Sequence, residues 1–228
     1  MKKMILLAAM AVATLGASAQ ARFEPGKCTM QIRYGGTGSM LSSMPDLNAN
    51  GKTIEATATG GYFFGVDVEY YLNERFSLSA GLNSSQAGTG WEDYDYNLNG
   101  TYVEVTESAL KTSYVSVPLT VNWYVLKGLA LKTGVQFSHL TRAKNYSLTE
   151  YSEGGVDYTT TAESNCKNDF NKFDVSIPIG LSYEFKFPIV LDLRYNMGLT
   201  NVNKHDAIDG KDHRNMQFVF TFGYKFRL

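Results

Sequence analysis

What the chain lacks narrows it first. Beyond residue 19 no stretch approaches the roughly eighteen consecutive apolar residues of a membrane-crossing helix, so helical spans are excluded. With 2 cysteines there is room for at most one disulfide. With 5 prolines against 21 glycines, 15 tyrosines and 13 phenylalanines, the composition favours strands and turns over helices. Neither sign of charge dominates: 21 basic and 22 acidic residues are scattered along the chain, which points to no nucleic acid as a partner. There is no zinc-ligand spacing, no glycine-rich phosphate loop, no catalytic triad and no repeat of fixed period. No cofactor is expected.

The N-terminus reads as Lys2 and Lys3, an apolar run from Met4 to about Leu15, then Gly16-Ala17-Ser18-Ala19 before Gln20. A basic start, a short apolar core and a small-x-small site make a signal peptide over residues 1–19, cleaved near Ala19. No cysteine follows the site, so a lipid anchor is not expected. Residues 20–228 are left as one domain.

At the other end Met216, Phe218, Phe220, Phe222, Tyr224, Phe226 and Leu228 occupy every second position. Gln217, Val219, Thr221, Gly223, Lys225 and Arg227 lie between them. A period of two with one face wholly apolar is a strand lying between two different solvents. The same alternation runs through Ile189–Thr200 and Phe173–Phe185. With more noise it recurs in Cys28–Gly36, Tyr62–Leu72, Phe76–Ser84, Tyr114–Val125 and Leu129–His139.

Eight strands are therefore predicted. Tight turns at Asn73-Glu74-Arg75, Lys127-Gly128 and Lys186-Phe187-Pro188 alternate with long connections over about 41–59, 89–111, 141–172 and 201–214. Short periplasmic turns alternating with long outer loops are the layout of an eight-stranded antiparallel up-and-down transmembrane β-barrel in the outer membrane. Closure requires the first strand to pair with the eighth, because an open edge in hydrocarbon strands its N–H and C=O groups.

The polar face carries Arg33, Asp67, Glu69, Lys132, Asp174, Glu184, Asp192, Arg194, Lys225 and Arg227, with Gly65, Gly81, Gly134, Gly180, Gly198 and Gly223. A soluble carrier barrel would turn such a face outward. Three features argue for the lumen instead. Glycines suit the crowded inside of a narrow barrel; five bases and five acids can neutralise one another where unpaired ions cost several kcal/mol each; and the opposite face has almost no charge to offer water. A lumen charge network filled by side chains is expected, with small or no conductance. The aromatics Tyr70, Phe76, Trp123, Phe185, Tyr224 and Phe226 gather near the short turns, as a girdle at the membrane interface does. Cys28 opens the first strand and Cys166 lies in the third outer loop. An apolar band about 25 Å tall separates them, while bridged Cα atoms lie within about 7 Å, so no bridge is predicted.

Tyr34-Gly35-Gly36, Tyr114-Val115-Ser116-Val117-Pro118-Leu119, its echo Val175-Ser176-Ile177-Pro178-Ile179-Gly180 and the terminal aromatic strand resemble the PorT-like outer-membrane β-barrels common in Bacteroidetes. The resemblance runs from about Cys28 to Leu228, although the chain ends on Leu228 where the common ending is Phe. It implies insertion by the barrel-assembly machinery and residence in outer-membrane lipid. Some members are linked to protein secretion, which carries over only by analogy.

Candidate chemistry is sparse. A lipid-modifying barrel would use His, Ser and an acid at the outer rim. Ser138 and His139, however, are strand neighbours pointing to opposite faces, and only Thr141 shares the face of His139. His205 and His213, near Asp206, Asp209 and Asp212, could hold a metal, but a solvated loop is the plainer reading. Asp46-Leu47-Asn48-Ala49-Asn50-Gly51 opens like a calcium loop, yet Thr57 stands where the bidentate acid belongs. Trp91, Tyr94 and Tyr96, among Glu92, Asp93 and Asp95, form a possible loop-binding cluster for a protein or glycan. The expectation is a non-enzymatic barrel with a structural or partner-binding role through its outer loops. A small pore is the alternative, and a lipid-active enzyme comes third.

Overall fold

The structure, a computed structural model, describes residues 25–49, 51–98, 101–153, 156–204 and 212–228. The predicted export signal lies outside the described residues. Eight long strands carry the architecture: β1 Cys28–Leu41, β2 Thr59–Tyr71, β3 Phe76–Trp91, β4 Thr101–Leu126, β5 Leu129–Glu153, β6 Phe173–Glu184, β7 Ile189–Gly198 and β8 Asn215–Arg227. Each pairs antiparallel with its sequence neighbours, and β1 also pairs with β8, from Thr29 opposite Arg227 to Leu41 opposite Asn215. The eight strands thus form a closed ring of ladders, as hydrocarbon demands.

Strand β8 shows how the alternation is used. Phe218, Phe220 and Phe222 are 61%, 45% and 57% exposed, whereas Val219 and Thr221 between them are fully buried. The apolar side chains point out of the ring and the polar ones into it. Soluble proteins rarely expose so continuous an apolar surface, and the barrel covers it with lipid.

Three short turns sit at one end, which the barrel layout places in the periplasm. In the first, the Asn73 side-chain carbonyl accepts the backbone N–H groups of Arg75 and Phe76 at 2.8 and 2.9 Å, an Asx turn that needs no longer loop. In the second, Gly128 takes a φ of +87°, where a side chain would be strained. The third closes through the Phe185 N–H donating to the Ile189 carbonyl at 3.0 Å.

Two ladders have a two-residue gap, while the β4–β5 ladder shifts register three times without one. Between β3 and β4 the pairing stops at Ala80 opposite Leu119 and resumes at Asn83 opposite Ser116. Between β5 and β6 it stops at Ser176 opposite Gln136 and resumes at Ile179 opposite Thr133. Pro118 and Pro178 fall in these gaps, and proline has no N–H to give a ladder.

The outer connections differ from expectation. The stretches 89–111 and 141–172 are mostly strand: β3 runs on to Trp91, β4 starts at Thr101, β5 reaches Glu153, and Tyr94–Leu98 and Val156–Asn165 pair with β4 and β5. Strand β4 spans 26 residues, more than twice the roughly nine to eleven that cross a bilayer. In its outer half the buried positions Val103, Val105, Ala109 and Leu110 alternate only in part with exposed ones, so the period-two apolar signal weakens there even though strand-forming Thr, Tyr and Val remain.

If Phe220 faces mid-bilayer lipid, Phe220→Arg should cost about 2–4 kcal/mol of stability, and the same change at the outer rim, Phe173→Arg, about 0–1. Denaturant unfolding of barrels folded into vesicles measures both; equal costs would refute the assignment of inside and outside.

Candidate functional site

Inward positions on six strands converge on two carboxylates. In the middle of the barrel Asp192 accepts from Lys132 at 3.0 Å, with Arg33 at 3.4 Å and Arg194 at 3.5 Å. Arg33 also pairs with Asp67 at 2.5 Å, and its guanidinium lies 5.1 Å from the Phe63 ring centre. Nearer the short turns, Glu69 pairs with Lys225 at 3.0 Å, and Lys225 pairs with Glu184 at 2.7 Å. Glu69 also accepts hydrogen bonds from Ser77, from Asn122 at 3.0 Å and from Tyr124 at 2.5 Å. The Tyr71 hydroxyl lies 3.2 Å from Lys225. Four bases thus meet four acids. Paired in this way they avoid the several kcal/mol that each unpaired buried ion would cost.

Glycine makes the room. A Cβ on Gly81 would collide with the Asp67 carboxylate, and one on Gly223 with the side chains of Gln31 and Arg33.

The structure brings together eight of the ten residues expected in this network and leaves two outside. Asp174 sits at the outer end of β6, opposite Ser138, and binds Asn215 at 2.8 Å and Thr200 at 2.6 Å instead of a cation. Arg227 has inward parity but is exposed at the last position of β8, past the point where the ring still encloses a side chain. The neutral partners Ser77, Asn122, Tyr71 and Tyr124 were not foreseen. Their inward parity was visible in the alternation, but attention to charged residues alone passes over the groups that complete the coordination of Glu69.

Above the ion network the lumen is largely neutral. A cavity of about 20 Å³, room for one water, is lined by Ser85, Ser116, Gln136, Ser138, Ser176 and Asn196 among others, with Asp174 as its one acid. Over it lies an apolar cork: Leu41, Leu110, Tyr114, Leu140, Cys166, Phe170 and Val202 pack together, with Met44 and Trp91 against them. Parts of three outer connections build it. Asn171 donates its backbone N–H to the Val202 carbonyl at 2.8 Å, and Val202 donates to that of His213, also at 2.8 Å. The Nδ1 of His213 lies 3.0 Å from the Ser42 carbonyl. This part of the fourth outer connection is therefore packed, where a solvated loop was expected. Burial also pushes the Cys166 thiol up. Cys28 and Cys166 are both free thiols, at opposite ends of the barrel.

Beyond the cork, Val156–Asn165, β5, β4 and Tyr94–Leu98 continue as a four-stranded outer sheet. Tyr151 stacks on Tyr158 at 5.3 Å between ring centres and Tyr94 on Tyr96 at 6.4 Å. Trp91 does not join the two tyrosines in a loop cluster. It ends β3, half-buried on the cork, and its Nε1 donates to the Pro45 carbonyl at 3.3 Å. Around the short-turn end the six expected interface aromatics all lie outward. Tyr70 is exposed, Phe76 stacks on Trp123 at 6.4 Å, Phe185 stacks on Phe187 at 5.3 Å, and Tyr224 lies 4.7 Å from Phe226.

The rim residues assemble no nucleophile and base. Ser138 is buried, His139 is exposed against Phe173, and Thr141 donates to the Ser113 carbonyl at 2.9 Å. Among the described residues no three His, Cys, Asp or Glu side chains are placed to hold a metal ion. His205, Asp206 and Asp209 lie outside the described residues.

A family model described as an outer membrane protein beta-barrel domain matches residues 18–204. Among solved structures the chain is similar to Ail, the attachment invasion locus protein of Yersinia pestis: 13% identity, 89% of this chain and 100% of that one covered, TM-score 0.40. It is similar also to Neisserial surface protein A, with 13% identity, 87% and 97% coverage and a TM-score of 0.42. OprG of Pseudomonas aeruginosa gives 12% identity, 90% and 98% coverage and a TM-score of 0.40. No curated protein matches.

Removing one member of the ion network should hurt more than removing a matched pair. Lys225→Met, which leaves Glu69 and Glu184 facing one another, should lose about 3–5 kcal/mol of unfolding free energy. Adding Glu69→Gln to it should recover part of that loss. An additive double variant would show that the two side chains do not interact.

Proposed function

Because this chain belongs to the outer membrane protein β-barrel domain family, we propose that it is a non-enzymatic barrel whose outer sheet captures an extracellular protein by pairing with its edge strand. The observation carrying this reading is Val156–Asn165. All ten residues are exposed, and they pair with β5 along one side without a register shift. Along the other side no strand lies next to them among the described residues. Natural sheets blunt such edges with proline, charged side chains or a bulge; this strand has no proline and no bulge, and of its two charges Asp157 and Glu163 the second is tied to Lys144 of β5. An open row of N–H and C=O groups binds an extended polypeptide, and the alternate side chains select it. Stacked Tyr151 and Tyr158 would add aromatic surface at one end of the strand.

The ion network and the cork fit a barrel that presents this sheet and does not conduct. In the same reading the chain is a PorT-like barrel of the Bacteroidetes type. It is exported by a signal peptide cleaved near Ala19, inserted by the barrel-assembly machinery and held in outer-membrane lipid. It needs no cofactor, metal or nucleic acid.

A photo-crosslinking amino acid at Tyr158 on intact cells should give a protein adduct that Thr160→Pro abolishes, while the same probe at lipid-facing Tyr34 gives none with an extracellular protein. No adduct from the edge, together with large steady conductance in planar bilayers, would favour the pore over a binding protein.

A further inference from the structure

The two ends of the barrel differ in charge. Outside the membrane acids and bases are mixed, with Glu92, Asp93, Asp95, Glu104, Glu150 and Asp157 beside Lys52, Lys111, Arg142, Lys144, Lys167 and Lys172. At the short-turn end exposed bases prevail. Lys27 precedes β1, Arg75 lies in the first turn, Lys127 in the second, Lys186 in the third, and Arg227 ends β8. All five are exposed, none forms an ion pair among the described residues, and the exposed acid near them is Glu74. Three of these bases sit beside girdle aromatics: Arg75 precedes Phe76, Lys186 lies between Phe185 and Phe187, and Arg227 follows Phe226. A basic collar therefore runs directly beneath the aromatic ring.

The collar is concave between the third turn and the end of β8, where a cleft of about 390 Å³ is lined by Phe187, Tyr224 and Phe226 together with Lys186 and Arg227. The turn is tied to β8 by the Lys225 N–H donating to the Pro188 carbonyl at 2.9 Å. Glu184, which also lines the cleft, is held by Lys225 at 2.7 Å. The charge left free in the cleft is therefore cationic. A ligand that fits has a compact anion at the water boundary and apolar chain against aromatic rings.

We propose that this cleft binds the phosphate headgroup of an anionic glycerophospholipid in the periplasmic leaflet. Lys186 and Arg227 hold the phosphate, and the acyl chains lie along Phe187, Tyr224 and Phe226. Arg227 can offer two N–H groups to two phosphate oxygens at once, while Lys186 acts as a point charge. Lys27, Arg75 and Lys127 attract the same leaflet but do not line this cleft. The inference rests on the barrel being membrane-inserted as proposed above.

The test uses the full barrel reconstituted in phosphatidylcholine vesicles, where spin-labelled phosphatidylglycerol and phosphatidylcholine compete for its surface. The unboiled form on a denaturing gel first shows that each variant is inserted, so a result on lipid preference bears on the cleft and not on the barrel. Phosphatidylglycerol should be preferred, and Lys186→Gln with Arg227→Gln should lower the preference by up to about thirtyfold, on the order of fivefold for each base near an anionic surface. Arg142→Gln at the outer end should leave it unchanged. Preference that survives the double change, or that falls equally with Arg142→Gln, overturns the proposal. Displacement of the labelled lipid by millimolar inorganic phosphate would also overturn it, since the site would then be for a free anion and not for a lipid headgroup.

Discussion

Hydrocarbon offers a peptide group nothing to bond to, and most of what this chain does follows from that. Each N–H and C=O within the bilayer must find its partner inside the protein, and β1 therefore closes on β8 instead of ending as an edge. Closure with eight strands leaves an interior only as wide as side chains can fill. The polar half of every strand is then forced into a dry, crowded space, and this geometry sets the rules for which residues can stand there.

Those rules explain the layering of the lumen. The buried ion pairs are confined to the middle and the periplasmic half, where Asp192 and Glu69 each gather several donors, and Asp174 nearer the outer end binds neutral partners. Neutral serines, glutamine and asparagine follow, and then the apolar cork. The order runs from charged to apolar along the barrel axis toward the outer water, the reverse of a simple pore mouth. The cork is a small soluble-type core, built from parts of three outer connections and sitting on a membrane domain. It also anchors the outer sheet, because Leu110 and Leu140 belong to β4 and β5, the strands that continue into that sheet.

The sequence made the membrane half of this molecule legible because a strand between two solvents writes its orientation in alternate residues. Phe218 to Tyr224 and Ile189 to Leu193 could be assigned inside or outside without coordinates. The outer half was unreadable for the complementary reason: from Lys144 to Glu150 every residue is at least partly exposed, and alternation has nothing to report. Two site residues show the same limit. Arg227 has the correct parity for the lumen, but parity does not tell where a barrel stops enclosing its contents. Asp174 has it too, but depth along the axis placed it among Asn215 and Thr200 and not among the bases. Trp91 read as a loop aromatic because nothing local indicates that distant Phe170 and Val202 will meet in one core with Leu41.

The interruptions at Pro118 and Pro178 flank the β4–β5 hairpin on both sides. That hairpin carries the longest ladder in the ring, running from the second turn far out into the external sheet with three register shifts but no gap like those at the two prolines. A pull on that sheet is therefore delivered to a stiff lever set between two seams, each lacking part of its hydrogen-bond stitching. Under load the wall should part along those seams before the hairpin itself unzips, so the barrel's mechanical weak points lie in the membrane and not at the surface where force is applied.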